Sequence, residues 1–194
     1  MQPEKVFEIF RTSGALLEGH FILSSGLHSS AYLQCAIALQ TPAVTAQFGV
    51  AIANEFAGVQ IETVAAPAIG GLVIGYEVAR QLGARFIWTE RDAGEMTLRR
   101  GFTIRTNERV LVVEDVITTG GSTRETIEVL RKHGAAVVAA ASIIDRSGGQ
   151  ADVGVPRVSL ATLDVPAISA ANCEACKRGE PAIKPGSRKA VDVV

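Results

Sequence analysis

Between Arg109 and Gly134 the chain reads RVLVVEDVITTGGSTRETIEVLRKHG, and its chemistry sits in the middle of that stretch. Glu114 and Asp115 stand side by side, and Thr118-Thr119-Gly120-Gly121-Ser122 follow close behind. A loop of small hydroxyls and glycines that turns into a helix leaves several backbone N–H groups pointing outward. With the helix dipole and the hydroxyls, they make a site for a phosphate dianion. Gly120 and Gly121 let the backbone come close and adopt positive φ. No Lys precedes the Ser, so the loop is not that of nucleoside triphosphatases. Two acids stand there instead, and carboxylates accept hydrogen bonds from a vicinal diol. A phosphate cradle beside diol acceptors suits a sugar phosphate such as ribose 5-phosphate.

The elements that must position these groups can be read outward from them. Val110-Leu111-Val112-Val113 is an apolar, β-branched run of the kind found in strands buried on both faces. Ile127, Val129 and Leu130 among Glu125, Glu128, Arg131 and Lys132 read as an amphipathic helix that Gly134 ends. A well-capped connection between strand and helix would account for Ser122 but not for the paired acids. Upstream, Thr63 to Ala68 is a short strand, then Ile69-Gly70-Gly71, then a helix from Leu72 to Leu82. This is a second phosphate-binding arrangement, although Gly70, Gly71 and Gly75 have the wrong spacing for a dinucleotide fingerprint. Residues 42–57 read as a helix opened by Pro42. Arg85 to Thr89 is a strand, and the charged segment 90–102 has no clear period and reads as a mobile surface loop. Ala136 to Ile144 is a buried strand ending in Asp145-Arg146, which puts a cation where α/β folds bind ligands. Val158 to Leu163 alternates as an edge strand would.

At the other flank, residues 4–17 place Val6, Phe7, Phe10 and Leu17 at roughly helical spacing, with Gly14 as the stop. Phe21, Leu23 and Tyr32 flank a Ser-Ser-Gly turn, as in a hairpin. His28 reads either as a surface residue or as a ligand contact. Cys173 and Cys176 form a C-x2-C pair, half of what a structural zinc needs, so structural thiols are the default.

With 194 residues, the chain has room for one α/β domain and a substantial core. Hydrophobic residues make up 47% and aromatic residues 5%, as an aliphatic, mostly parallel sheet prefers. A net charge of −1 argues against nucleic acid as partner. The absence of an 18-residue apolar run or a charged leader predicts no membrane span and no signal peptide. Three cysteines are too few for a disulfide framework, so the expected setting is cytoplasmic. The expected fold is an open, mostly parallel α/β sheet with helices on both faces. It forms one domain over 1–194, with an N-terminal helix and hood in 1–40, the core in 41–170 and a tail in 171–194.

EDVITTGGS behind VLVV resembles the 5-phosphoribosyl 1-diphosphate (PRPP) motif of type I phosphoribosyltransferases. The resemblance implies PRPP contacts from Glu114, Asp115, Val116, Ile117, Thr118, Thr119, Gly120, Gly121 and Ser122, with both acids on the ribose hydroxyls and Asp115 central to catalysis. The PAxGG loop would border the pyrophosphate through Ala68, Gly70 and Gly71. GHFILSSGLHSSAY is similar to the hood of the orotate branch, which implies base contacts from Ser25, Gly26 and Tyr32. Many members carry Lys where Ser24 stands, so that cation does not carry over. Thr118 and Arg146 would fix orotate, the guanidinium by a bidentate pair with its carboxylate. ERxxGxMxLRRGF resembles a shorter-chain branch in the place of the loop that closes over PRPP, often across a dimer interface. Arg91, Arg99 and Arg100 stand where members commonly have lysines and a His; Arg91 is first choice by position, and the assignment stays open. The tail pattern CxxCKxGxPxxKPGSR also resembles the orotate branch. The implied chemistry is the making of orotidine 5′-monophosphate from orotate and PRPP by a homodimer. Mg²⁺ would be held by PRPP and water, with no direct protein ligand. A purine phosphoribosyltransferase and a PRPP-sensing regulator of the same fold are the rival readings.

Overall fold

The computed structural model of the chain describes residues 1–23 and 25–185. Ser24, and Gly186, Ser187 and Arg188 of the tail pattern, lie outside them.

The chain runs α1 (Pro3–Thr12), β1 (Leu16–Ile22), β2 (His28–Leu33), α2 (Cys35–Leu39), α3 (Pro42–Glu55), β3 (Thr63–Pro67) and α4 (Gly71–Leu82). It continues with β4 (Arg85–Asp92), β5 (Glu95–Leu98), β6 (Arg109–Ile117), α5 (Gly121–Lys132), β7 (Ala136–Asp145) and β8 (Arg157–Thr162). A 3₁₀ turn (Ala170–Asn172) and α6 (Glu174–Lys177) close the described part. β1 and β2 form an antiparallel hairpin of their own, and the other six strands make one sheet in the order β5-β4-β3-β6-β7-β8. Every neighbour pair in that sheet is parallel except β4 with β5. β8 lies at the edge, as its alternation suggested.

The apolar run of β6 is buried on both sides because it must fill two cores. Leu111 and Val113 pack with Phe10, Phe48 and Ile74 on one face, while Val110 and Val112 pack with Ile127 and Leu130 of α5 on the other. β3 connects through α4 to β4 on one side, and β6 connects through α5 to β7 on the other. The strand order therefore reverses between β3 and β6. Open α/β sheets bind ligands at the C-terminal strand ends of such a reversal.

Three expectations need correction. The first helix stops at Thr12, and Leu17 sits on β1 with its side chain exposed. Segment 90–102 is no featureless loop: β4 runs to Asp92, turns through Ala93 and Gly94, both with positive φ, and pairs back along β5. Such a turn matches the twist of a hairpin. β6 also outruns its apolar part: the strand read at Val110–Val113 continues to Ile117, so Glu114 and Asp115 lie within it.

Close approach of α4 to the strand ends depends on Gly71. A Cβ there would stand 2.8 Å from the Val113 carbonyl oxygen and 3.0 Å from Ala66 Cβ. Backbone cannot yield as a side-chain tip can, so Gly71→Ala should cost about 1–3 kcal/mol by overpacking. Urea unfolding checks this, and an unchanged midpoint would show that α4 shifts freely.

Candidate active site

β6 delivers the acidic pair to this reversal. Asp115 N–H donates to Glu114 Oε1 (3.2 Å) and Val116 N–H donates to Asp115 Oδ1 (2.8 Å). Glu114 is buried, and burial first, then the neighbouring Asp115, push its carboxyl well above the usual range. The start of α4 packs on the pair: a Cβ on Gly70 would lie 2.8 Å from Asp115 Oδ1, and one on Gly71 would lie 3.1 Å from Glu114 Oε1. Gly70 and Gly71 thus meet the two carboxylates across the switch between β3 and β6, while Ala68 N–H is taken by Thr89 O (2.7 Å). Cys35, the first residue of α2, joins the group from behind. Burial, then the negative charge of Asp115, raise its thiol well above the ordinary value, with Glu114 adding to this and Arg146 opposing it. Sequence reading passed over Cys35, since a lone thiol carries no spacing signal.

Beyond the acids, Gly120 takes the left-handed conformation (φ 76°) and opens α5 with no side-chain cap on the helix start. The orphan N–H groups of that first turn are therefore left for a ligand. Glu114, Val116, Ile117 and Thr118 to Thr123 surround a hollow of about 80 Å³. Glycines and small hydroxyls make most of its wall, with Glu114 at one side, and its size suits a phosphate.

Thr118 and Thr119 also line a larger cleft of about 780 Å³. Ser25 and Tyr32 from the hairpin, Arg146 from the end of β7, and Pro166 and Pro185 from the tail border it too. Gly26 shapes the hairpin turn with φ 80° but lines neither cavity. Arg146 is anchored by its N–H to Ile117 O (2.7 Å). Among the described residues its Nε is the one buried side-chain nitrogen or oxygen without a hydrogen-bond partner. A buried donor of this kind calls for an acceptor from a ligand.

Asp145 braces the turn that carries Arg146. It accepts from Ser147 N–H (2.7 Å), Ser147 Oγ (2.6 Å), Gly149 N–H (3.0 Å) and Arg157 Nη1 (2.8 Å). Burial alone would raise its carboxyl, but the bonds from Ser147 and Arg157 outweigh burial and hold it below the usual value. Its contribution is complete above the unfolded carboxyl value, about 3.9, and is lost as pH falls through the lower folded value. Asp145→Asn should cost about 2 kcal/mol at neutral pH. The gap from wild type should close as both are acidified below about pH 4. Denaturant titrations at several pH values check it, and a gap independent of pH would assign the loss to packing.

The three arginines expected over the pyrophosphate sit on or just after the β4–β5 hairpin, each on a carboxylate. Arg91 donates to Glu125 Oε2 (2.6 Å) and Gly94 O (2.7 Å). Arg100 grips Glu90 through two bonds of 2.9 Å, and Arg99 lies 3.3 Å from Asp92 Oδ1. None of them lines the cradle or the cleft. His28 is buried and also lines neither, pointing instead at His20 from across the hairpin. The share of the cleft that comes from beyond β8, Asp164 to Ala167 at the end of the core and Pro185 in the tail, had no signal in the local sequence.

A family model described as "Phosphoribosyl transferase domain" matches residues 40–170. The chain is 50% identical over 189 residues to the orotate phosphoribosyltransferase of Pelotomaculum thermopropionicum, covering 97% of this chain and 100% of that one. The chain belongs to the phosphoribosyltransferase family, in its orotate branch. The Thermotoga maritima orotate phosphoribosyltransferase is 52% identical over 181 residues, which is 93% of this chain and 97% of that one. Among solved structures, the Aeropyrum pernix orotate phosphoribosyltransferase superposes with a TM-score of 0.65 at 32% identity, covering 80% of this chain and 92% of the other. The six-stranded sheet is thus a phosphoribosyltransferase sheet. Among the described residues no helix is long and apolar enough to cross a membrane.

Proposed function

We propose that the protein transfers the 5-phosphoribosyl group of PRPP to orotate, giving orotidine 5′-monophosphate and pyrophosphate. The observation that carries this reading is the junction at Thr118 and Thr119, which border both the cradle and the cleft containing Arg146. A 5-phosphate in the cradle and a carboxylate on Arg146 would put the ribose between them, over the acidic pair. C1 of the sugar then faces the base, which is most of what a displacement at C1 needs from a protein.

In this reading the backbone from Thr118 to Ser122 holds the 5-phosphate, and Asp115 and Glu114 take the ribose hydroxyls. N1 of orotate bonds to C1 as the C1–oxygen bond to pyrophosphate breaks, through a transition state with positive charge on the ribose. Asp115 lies where that charge develops and stabilises it. Gly70 and Gly71, just after Ala68, offer backbone to the leaving pyrophosphate at the start of α4. The donor set suits a Mg²⁺ held by the diphosphate and water rather than by a protein cage. Glu114 is pushed toward its protonated form, and one Asp115 oxygen is engaged by Val116 N–H. When bound, such an ion supplies charge neutralisation on the leaving group. The reading includes a cytoplasmic homodimer, one domain per chain, in which the hairpin arginines of one subunit serve its partner's site.

The test is the fall in orotate absorbance on mixing with PRPP and Mg²⁺. The expected result is chelator-sensitive loss of orotate with stoichiometric pyrophosphate. Pyrophosphate release with adenine or hypoxanthine but not orotate would move the protein to the purine branch, and PRPP binding without turnover would make it a regulator.

A further inference from the structure

Four side chains that the transfer reaction does not use converge where the hairpin meets the tail. His20 and His28 come from β1 and β2; Cys173 and Cys176 come from the start of α6. His20 Nε2 lies 2.7 Å from His28 Nδ1. Cys173 Sγ and Cys176 Sγ lie 3.4 and 3.5 Å from His20 Nε2, and Cys176 Sγ lies 3.3 Å from His28 Nδ1. All four donor atoms fall within 4.8 Å of one another, and among the described residues no other such group of His, Cys, Asp and Glu forms.

Hydrogen bonding explains this cluster poorly. A pair of imidazole nitrogens can share one proton, and thiols are weak partners for the remainder. A tetrahedral Zn²⁺ explains it well. With Zn–N of about 2.0–2.1 Å and Zn–S of about 2.3 Å, neighbouring donors stand roughly 3.3–3.8 Å apart. The three sulfur–nitrogen distances given above already fall there, and the two nitrogens, at 2.7 Å, need to part by about 0.6 Å. The outer contact agrees: His20 Nδ1 lies 2.9 Å from Glu180 O. With its proton there, His20 turns the Nε2 lone pair inward, as metal-bound imidazoles do. Two thiolates cancel the charge of a divalent ion, which suits a site where three of the four residues are buried. Sulfur with imidazole selects zinc over the hard ions that prefer oxygen.

We propose that His20, His28, Cys173 and Cys176 bind one Zn²⁺ in a closed, structural site that fastens the tail to the hairpin over the cleft. The C-x2-C pair read as plain structural thiols because its partner ligands lie far upstream and are brought near only by the fold. The same junction carries backbone bonds from Ile22 N–H to Ile183 O and between His28 and Ile168. The ion therefore holds the segment that contributes Asp164 to Ala167 and Pro185 to the cleft. The site stands whether or not orotate proves to be the substrate.

The experiment is metal analysis of the full chain, purified under reducing conditions without chelator, followed by replacement of zinc with Co²⁺. The expected results are about one zinc per chain, and a cobalt protein with strong visible bands and near-ultraviolet thiolate charge transfer. Cys173→Ser with Cys176→Ser should lose both signals, whereas Cys35→Ser should keep them. If the double variant fails to fold, zinc is stripped from the wild type instead; its unfolding temperature should fall and recover when zinc alone is returned. Reduced wild type that keeps no Zn²⁺ or Co²⁺ after gel filtration would overturn the proposal. So would cobalt without thiolate charge transfer, or an intact mass showing a Cys173–Cys176 disulfide in the purified chain.

Discussion

Asp115→Asn is expected to lower kcat/KM by about 10²–10³, or roughly 2.7–4 kcal/mol of transition-state stabilisation. The exchange keeps the shape of the side chain and one oxygen that can still accept from Val116 N–H (2.8 Å in the native protein). What it removes is the negative charge beneath the ribose as the bond to pyrophosphate breaks. Glu114→Gln is expected to do much less, because burial and the neighbouring charge already push that carboxyl toward its neutral form. Steady-state kinetics on both variants, with unfolding midpoints as the control, separate the two roles. Near wild-type turnover in Asp115→Asn would remove the acid from the chemistry, and equal losses in the two variants would mean that the pair acts as one charged unit.

Arg146→Ala is expected to reduce kcat/KM for orotate by at least about 10²–10³, while PRPP binding stays close to wild type. A site built to hydrogen-bond a substrate discriminates strongly, because its buried donor is costly when unmatched. Arg146 Nε is such a buried donor, and Arg146 lines a cleft whose other walls are apolar side chains such as Leu23, Leu27 and Val165, small hydroxyls, Tyr32 and the carboxylate of Asp164. Arg146→Lys should rescue little, since an ammonium lacks the planar fork that meets a carboxylate in two places. An orotate KM unchanged in either variant would place the carboxylate elsewhere, and an equal loss of PRPP affinity would assign Arg146 to the phosphate side.

What could be read from the sequence was what lies contiguous in it. Glu114 to Ser122 carry an acid pair, a loop of small hydroxyls and glycines and a helix start within one run, so that arrangement was legible before any fold was known. The two packing faces of β6 followed from the unbroken Val110–Val113 run. The β4–β5 hairpin escaped because its alternation is short: only Met96 and Leu98 alternate with polar residues in β5, and Glu90, Arg91, Asp92 and Glu95 around the turn mask them. Its turn, Ala93-Gly94, also lacks the asparagine or aspartate that usually marks one. Leu17 was placed on the first helix because helical spacing continues past Gly14, and spacing alone cannot see that the backbone has already turned into β1. Cys35 beside Asp115, the tail residues in the cleft, and the meeting of His20 and His28 with Cys173 and Cys176 are products of tertiary structure. No window along the chain contains them.

The ties between hairpin and tail also set an order of assembly. Every ladder of the six-stranded sheet joins residues between Thr63 and Thr162, whereas the roof of the cleft is closed by the bridges Phe21 to Ile183 and His28 to Ile168. A ribosome delivers the hairpin early and its partners late, so the sheet can condense while the roof still waits. Contacts of such long sequence separation form slowly and belong to the least cooperative part of a fold. The sheet and the loop from Thr118 to Ser122 can therefore form before the hairpin meets Ile168 and Ile183. The last step of folding is then the closing of one long-range junction onto a finished sheet.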